Sequence, residues 1–233
     1  MAAGKLNHPG LRALAIALII ASVIAFWVLR PIRETNFQIT GYTPLRDDAV
    51  AAKYAPVILP HPLHGSATRL LYRMAKNSAG ETLIAYHAFY ADEHNTHSGF
   101  GARMSRLIYT GGLNLKNIMF GPADLELIEV TLDRQGKPVM VWYEDAENYN
   151  PAAFSVRHSP KSVKNPALPL CFRVPTWNHM FALETPAACM GHKAMKPEYF
   201  NEADWNHYRM VKKTEAILRR NRTHRDYERI AVP

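Results

Sequence analysis

Hydrophobic and polar positions divide the chain into three unequal stretches. Ala13 to Leu29 is a run of 17 residues without charge, bracketed by Arg12 and Arg30 and carrying Trp27 near its far end. The run lacks the polar stripe of an amphipathic core helix, so it reads as a transmembrane helix at the short end of a bilayer span. Its arginines would snorkel and its tryptophan would lie at the interface. Pro31 ends it. A cleaved signal peptide is the competing reading, with Lys5 and Arg12 before the apolar run and Val23-Ile24-Ala25 as a small-residue site. The run continues through Phe26 to Leu29, which suits an uncleaved anchor better.

The middle of the chain has the two-residue alternation and aromatic enrichment of strands. Thr82–Tyr90 is bounded by Gly80 and Asp92. Leu125–Leu132 alternates into Asp133-Arg134-Gln135-Gly136, and Pro138–Tyr143 resumes the pattern, which predicts a β-hairpin. Leu168–Val174 is a further apolar run. No regular alternation of strands with long helices suggests a parallel sheet, so the expected fold is mainly β, an antiparallel β-sandwich with an N-terminal transmembrane helix and a C-terminal helix. Asn201 caps that last helix, with Glu202 and Asp204 in its first turn and Trp205, Tyr208, Val211, Glu215 and Leu218 at helical spacing. The expected divisions are an anchor or signal at 1–33, a linker at 34–56 that becomes a packed entry strap, a sandwich domain at 57–198 and a basic helix and tail at 199–233.

Composition sharpens this in two places. The chain of 233 residues has a net charge of +8, and eight Lys or Arg against three acids lie between Arg209 and Arg229. Such a tail suits anionic lipid or a membrane-protein partner, the bland alternative being a solvated helix face. Nucleic acid is not expected, since no recognition motif appears and an exported domain rarely meets it. Cys171 and Cys189 are an even pair, read either as a disulfide that closes a loop worth roughly 3 kcal/mol or as two buried thiols. The expected location is a bacterial-type inner membrane with the bulk of the chain extracytoplasmic. Positive charge flanks both ends of the apolar run, so charge bias alone does not set that orientation.

Candidate chemistry concentrates in two places. His87, Asp92, Glu93, His94 and His97 follow one another through a strand and its loop, and imidazole and carboxylate are usual ligands for a divalent metal. The order is not that of a His-Glu-x-x-His zinc site. Asp124 and Glu126 open a strand two positions apart, so both point to one face, roughly 7 Å apart by strand rise. That face continues through Ile128, Val130 and Leu132 and is core-directed, so the two carboxylates require a metal, another cation or a water-lined mouth. His158 and His179 follow strand candidates and would supply imidazole to that pair, or else are packed histidines. No Gly-x-Ser-x-Gly elbow and no dinucleotide or phosphate loop occurs, so no nucleotide cofactor is expected.

Leu83-Ile-Ala-Tyr-His-Ala-Phe-Tyr90, the Asp124-Leu-Glu126 entry into Leu127-Ile-Glu-Val-Thr-Leu-Asp133, the partner strand Val139-Met-Val-Trp-Tyr143 and the later Trp177-Asn-His-Met-Phe181 occur in an order. That order resembles the necrosis-inducing-protein-like and Vps62-like sandwich families. The resemblance covers roughly residues 57–185. It places Asp124 and Glu126 at the Asp and Glu of the family motif and His179 near its later histidine, while Leu125 stands where the motif has Trp. It implies a β-sandwich with a mouth for a divalent cation or polar ligand.

Three readings follow. The first is a non-enzymatic anchored domain that binds a cation or envelope ligand through Asp124, Glu126, His179 and His87. In the second, a metal-dependent hydrolase, Glu93, His94 and His97 complete the metal's surroundings. The third is a structural subunit that docks another membrane protein.

Overall fold

The computed structural model describes residues 9–29, 41–113, 115–208 and 210. The chain is mainly β. In order, its elements are α1 (Pro9–Leu29), β1 (Tyr42–Leu45), α2 (Asp48–Lys53), β2 (Val57–Ile58), β3 (Arg69–Asn77), β4 (Thr82–Tyr90), α3 (Phe100–Ser105), a π-helical turn (Arg106–Thr110), α4 (Leu115–Phe120), β5 (Asp124–Leu132), β6 (Pro138–Glu147), β7 (Arg157–Lys164), β8 (Cys171–Arg173), β9 (Ala182–Glu184), a 3₁₀ turn (Pro186–Cys189), β10 (Glu198–Tyr199) and α5 (Glu202–His207).

Seven strands form one sheet in the order β1-β3-β4-β5-β6-β7, with β10 added to β3 in parallel; every other pairing in it is antiparallel. A second sheet, β2-β8-β9, has three strands. Alternation assigns the large sheet's two faces. Tyr72, Tyr86, Ile128, Val130 and Val141 meet Phe172, Val174 and Phe181 from the small sheet and its flanks, and Ala51 and Tyr54 from α2. On the opposite face Leu71, Leu83, Phe89 and Leu125 pack under Phe200, Trp205 and Met210. Two tyrosines of the core end on backbone, Tyr86 donating to the Ala51 carbonyl at 2.7 Å and Tyr54 to that of Gly136, while Tyr72 donates to the Asp48 carboxylate.

β4 spans the residues its alternation predicts, and β5 and β6 form the expected hairpin around Gly136, whose φ of +76° suits a residue without Cβ. The Asp133 carboxylate accepts from the amides of Gln135 and Lys137 at 2.9 and 2.8 Å, closing that turn. Residues 42–55, assigned from sequence to a linker and entry strap, belong to the domain: β1 pairs with β3, and Ala51 of α2 is fully buried. At the other boundary, β10 straddles residues 198 and 199. Asn201 caps α5 as expected, accepting from the Asp204 amide at 2.8 Å, and the helix runs to His207. The rest of the expected C-terminal helix lies outside the described residues.

A helix forms over the apolar amino-terminal run, and its large apolar side chains from Leu14 to Phe26 are 54–72% exposed. Among the described residues no helix is long and apolar enough to cross a membrane. Cys171 and Cys189 form a disulfide, Cα to Cα 5.8 Å, joining β8 to the 3₁₀ turn beneath Val57.

Candidate functional site

β5 begins immediately after Ala123, a non-glycine residue with φ of +65°. From this start Asp124 and Glu126 project onto the same face as Ile128, as alternation predicts, beyond the end of the apolar core. Both are more than nine-tenths buried. The opposite ends of three connections close over them: the loop 59–68, the long connection 91–123 that carries α3 and α4, and the segment around His179.

His179 is the residue the sequence associated with Asp124, and the fold brings them together. Its Nδ1 lies 2.6 Å from Asp124 Oδ2 and its Nε2 2.9 Å from the carbonyl oxygen of His64. Each ring nitrogen therefore faces an oxygen, one of a carboxylate and one of a carbonyl. The ring lies flat on Tyr90, centroids 3.8 Å apart and planes 4° from parallel. His179 has a left-handed backbone, φ +58°. Left-handed residues thus stand at Ala123 and His179, beside and within the pair, a strain that surrounding structure must hold.

A cation comes from α4. Lys116 is buried, with Nζ 3.7 Å from Asp124 Oδ1 and 3.9 Å from Glu93 Oε2. The carboxylates required a metal, another cation or water, and here the cation is a lysine the sequence reading did not single out. Its signal was a lone charge in the apolar Leu115–Phe120 segment. Tyr90, from β4, completes the centre. Its hydroxyl is buried with no hydrogen-bond partner among the described residues. Burial first, then the charges of Glu126 and Asp124, push it well above the usual phenol range, so it remains a neutral donor.

The other predicted residues go elsewhere. His87 belongs to the opposite face, edge-on to Phe200 at 5.1 Å and near Trp205, because β4 alternation separates it from Tyr90 and Ala88. Of the loop cluster, Glu93 turns inward to Lys116, while His94 and His97 are exposed. His97 Nδ1 accepts from the Gly99 amide at 2.9 Å, a local turn and not a convergence with His94. His158 lies within β7 rather than in a loop. It contacts Glu144 at 2.6 Å through Nδ1, and Asn178 donates to its Nε2 at 3.4 Å, so it does not reach Asp124. Among the described residues no group of three or more His, Cys, Asp or Glu side chains is arranged to hold a metal ion. The donor set fits a metal poorly, since both His179 nitrogens are engaged and Asp124 already faces His179 and Lys116.

His64 borders the site, stacked on His61 with centroids 4.2 Å apart. Burial, followed by the positive potential of His61 and His179, lowers its pKa to about 4. Comparison with family models, curated proteins and solved structures returns no match.

Proposed function

We propose that this chain is a membrane-anchored protein whose β-sandwich domain lies on the extracytoplasmic side and binds a polar envelope ligand, without turnover, at the end of β4 and β5. The carrying observation is the buried group of acceptors, Glu93, Asp124 and Glu126, beside a tyrosine hydroxyl that lacks a partner among the described residues. A ligand bearing hydroxyl or ammonium donors would exchange with Lys116 at these acceptors and give the Tyr90 hydroxyl a partner. The disulfide supports an oxidising compartment, and the exposed large apolar side chains of α1 from Leu14 to Phe26 support an anchor that needs lipid around it. The site supports binding better than hydrolysis, because each nitrogen of His179 is committed to an oxygen and neither is free to act as a base or a metal ligand.

The test uses the full chain in lipid nanodiscs, titrated with an amino-sugar oligosaccharide, which carries both hydroxyls and ammonium groups. Saturable binding that weakens about tenfold or more in Glu126→Gln supports the reading, a loss of the size expected for a hydrogen bond to a charged group. Equal affinity in the variant, or no binding by the parent chain, contradicts it.

A further inference from the structure

The turn of residues 61–65 lies over the site and closes on itself, the His61 amide donating to the Gly65 carbonyl at 3.1 Å and the Gly65 amide to the His61 carbonyl at 2.9 Å. On either side the chain is pinned to strands. The Leu59 amide donates to the Phe172 carbonyl at 2.8 Å, and the Thr68 amide to that of Phe89 at 2.7 Å. Between these pins the turn meets the site at the His64 carbonyl oxygen, 2.9 Å from His179 Nε2, while Pro62, Leu63, Gly65 and Ser66 face solvent. His61 Nδ1 accepts from the Leu63 amide at 3.2 Å, and its ring stacks on that of His64 with planes 11° apart. In this arrangement His64 Nδ1 is buried with no hydrogen-bond partner among the described residues.

A protonated ring carries an N–H at both nitrogens, and at Nδ1 that donor would meet neither water nor an acceptor. The titratable groups that face His64 are His61 from its own turn and His179 from the segment after β8. Behind His179 stand Asp124 of β5 and Tyr90 of β4, with Lys116 of α4 on the other Asp124 oxygen. To take a proton, His64 must therefore leave the stack and reach water, and its carbonyl leaves His179 with it. We propose that the 61–65 turn is an acid-released cover on the Asp124–His179 pair, closed at neutral pH and opened when His64 binds a proton. The proposal rests on the ligand-binding reading of this site, whose access the cover would regulate. Burial first, then His61 and His179, lower the His64 pKa from 6.5 to about 4 in the closed turn. The open turn binds the proton with ordinary affinity, so opening is least above pH 6.5 and grows as the pH falls toward 4.

Hydrogen exchange read by mass spectrometry on the full chain in lipid nanodiscs tests this, with protection corrected for the intrinsic exchange rate at each pH. In the parent, protection of the 61–65 amides should fall about fivefold or more from pH 6.5 to about pH 4.5, while Thr82–Tyr90 of β4 keeps its protection. His64→Phe retains a ring to stack on His61 and takes no proton, so its turn should show no such fall. His64→Gln, a second side chain that takes no proton, should be equally flat. Parent protection that does not change with pH overturns the proposal. A fall of the same size in both variants assigns the opening to Asp124 and the carboxylates around it, and overturns the proposal too. Loss of protection in β4 together with the turn is global acid unfolding and does the same. Titration with the amino-sugar separates the cover from the ligand reading. Acid loosening that depends on His64, in a chain that binds no amino-sugar, contradicts the ligand reading and leaves the cover standing. Amino-sugar binding with unchanged protection overturns the cover alone.

Discussion

The imidazole of His179 lies against the phenol of Tyr90 with centroids 3.8 Å apart, while its Nδ1 holds Asp124 at 2.6 Å. One residue from a loop after β8 thereby joins the ends of β4 and β5. Removing the ring takes from the buried Asp124 carboxylate its 2.6 Å partner. His179→Phe keeps an aromatic face for Tyr90 but loses that contact and the one to the His64 carbonyl, and should cost ~3 kcal/mol, near the lower end for a broken buried pair. Denaturant unfolding of the variant beside Asp124→Asn and the double variant checks this: the double change should cost clearly less than the sum of the single ones.

Tyr90→Phe separates binding from stability. The hydroxyl has no partner among the described residues, so its removal should leave the unliganded protein as stable or raise stability by ~1 kcal/mol, while weakening the ligand. A thermal melt with and without the amino-sugar reads both effects. A loss of stability in the free protein would show that the hydroxyl is structurally satisfied.

Lys116→Met leaves Glu93 and Asp124 close together without their shared cation. Destabilisation of ~2–3 kcal/mol is expected, and it should shrink as the pH falls and the carboxylates protonate. Unfolding at neutral and acid pH is the check, with an unchanged difference counting against the ion cluster.

His64 gives the pH dependence a sign. Its pKa falls from 6.5 to about 4 in the folded chain, so the unfolded chain binds more protons between those values. The contribution is complete above pH 6.5 and is lost as the pH drops through 4. Because the ring is partly exposed, it amounts to ~1 kcal/mol after solvent screening. His64→Gln should flatten the stability curve in that window, and a proton titration of the parent's His64 should give a midpoint far below that of an exposed histidine.

The sequence reveals the parts of this architecture whose patterning is set by burial. β4 and the β5–β6 hairpin alternate because one face meets the small sheet, and the core-directed face of β5 predicted that Asp124 and Glu126 require a metal, another cation or a water-lined mouth, of which Asp124 has Lys116. The neighbouring elements carry weaker signals. β7 holds Pro160 and Lys161 in an exposed, polar edge strand, a composition that guards an edge and conceals a strand. β1 is four residues with a proline, and it exists only because β3 offers it an edge. Lys116 was hidden for a different reason: its role depends on a long connection bringing it back over β5, and no local period encodes such a return. His87 was assigned to the wrong side because a metal set was sought by residue type, whereas β4 alternation already separated it from the Asp124 face.

Asp124 is met from within the domain by the His179 ring at 2.6 Å and by Lys116 at 3.7 Å. The most direct test is ¹⁵N NMR of the His179 ring in the full chain at neutral pH, assigned through His179→Phe. The account predicts protons on both Nδ1 and Nε2. A bare ring nitrogen, or one whose signal moves on addition of a divalent metal, would contradict it.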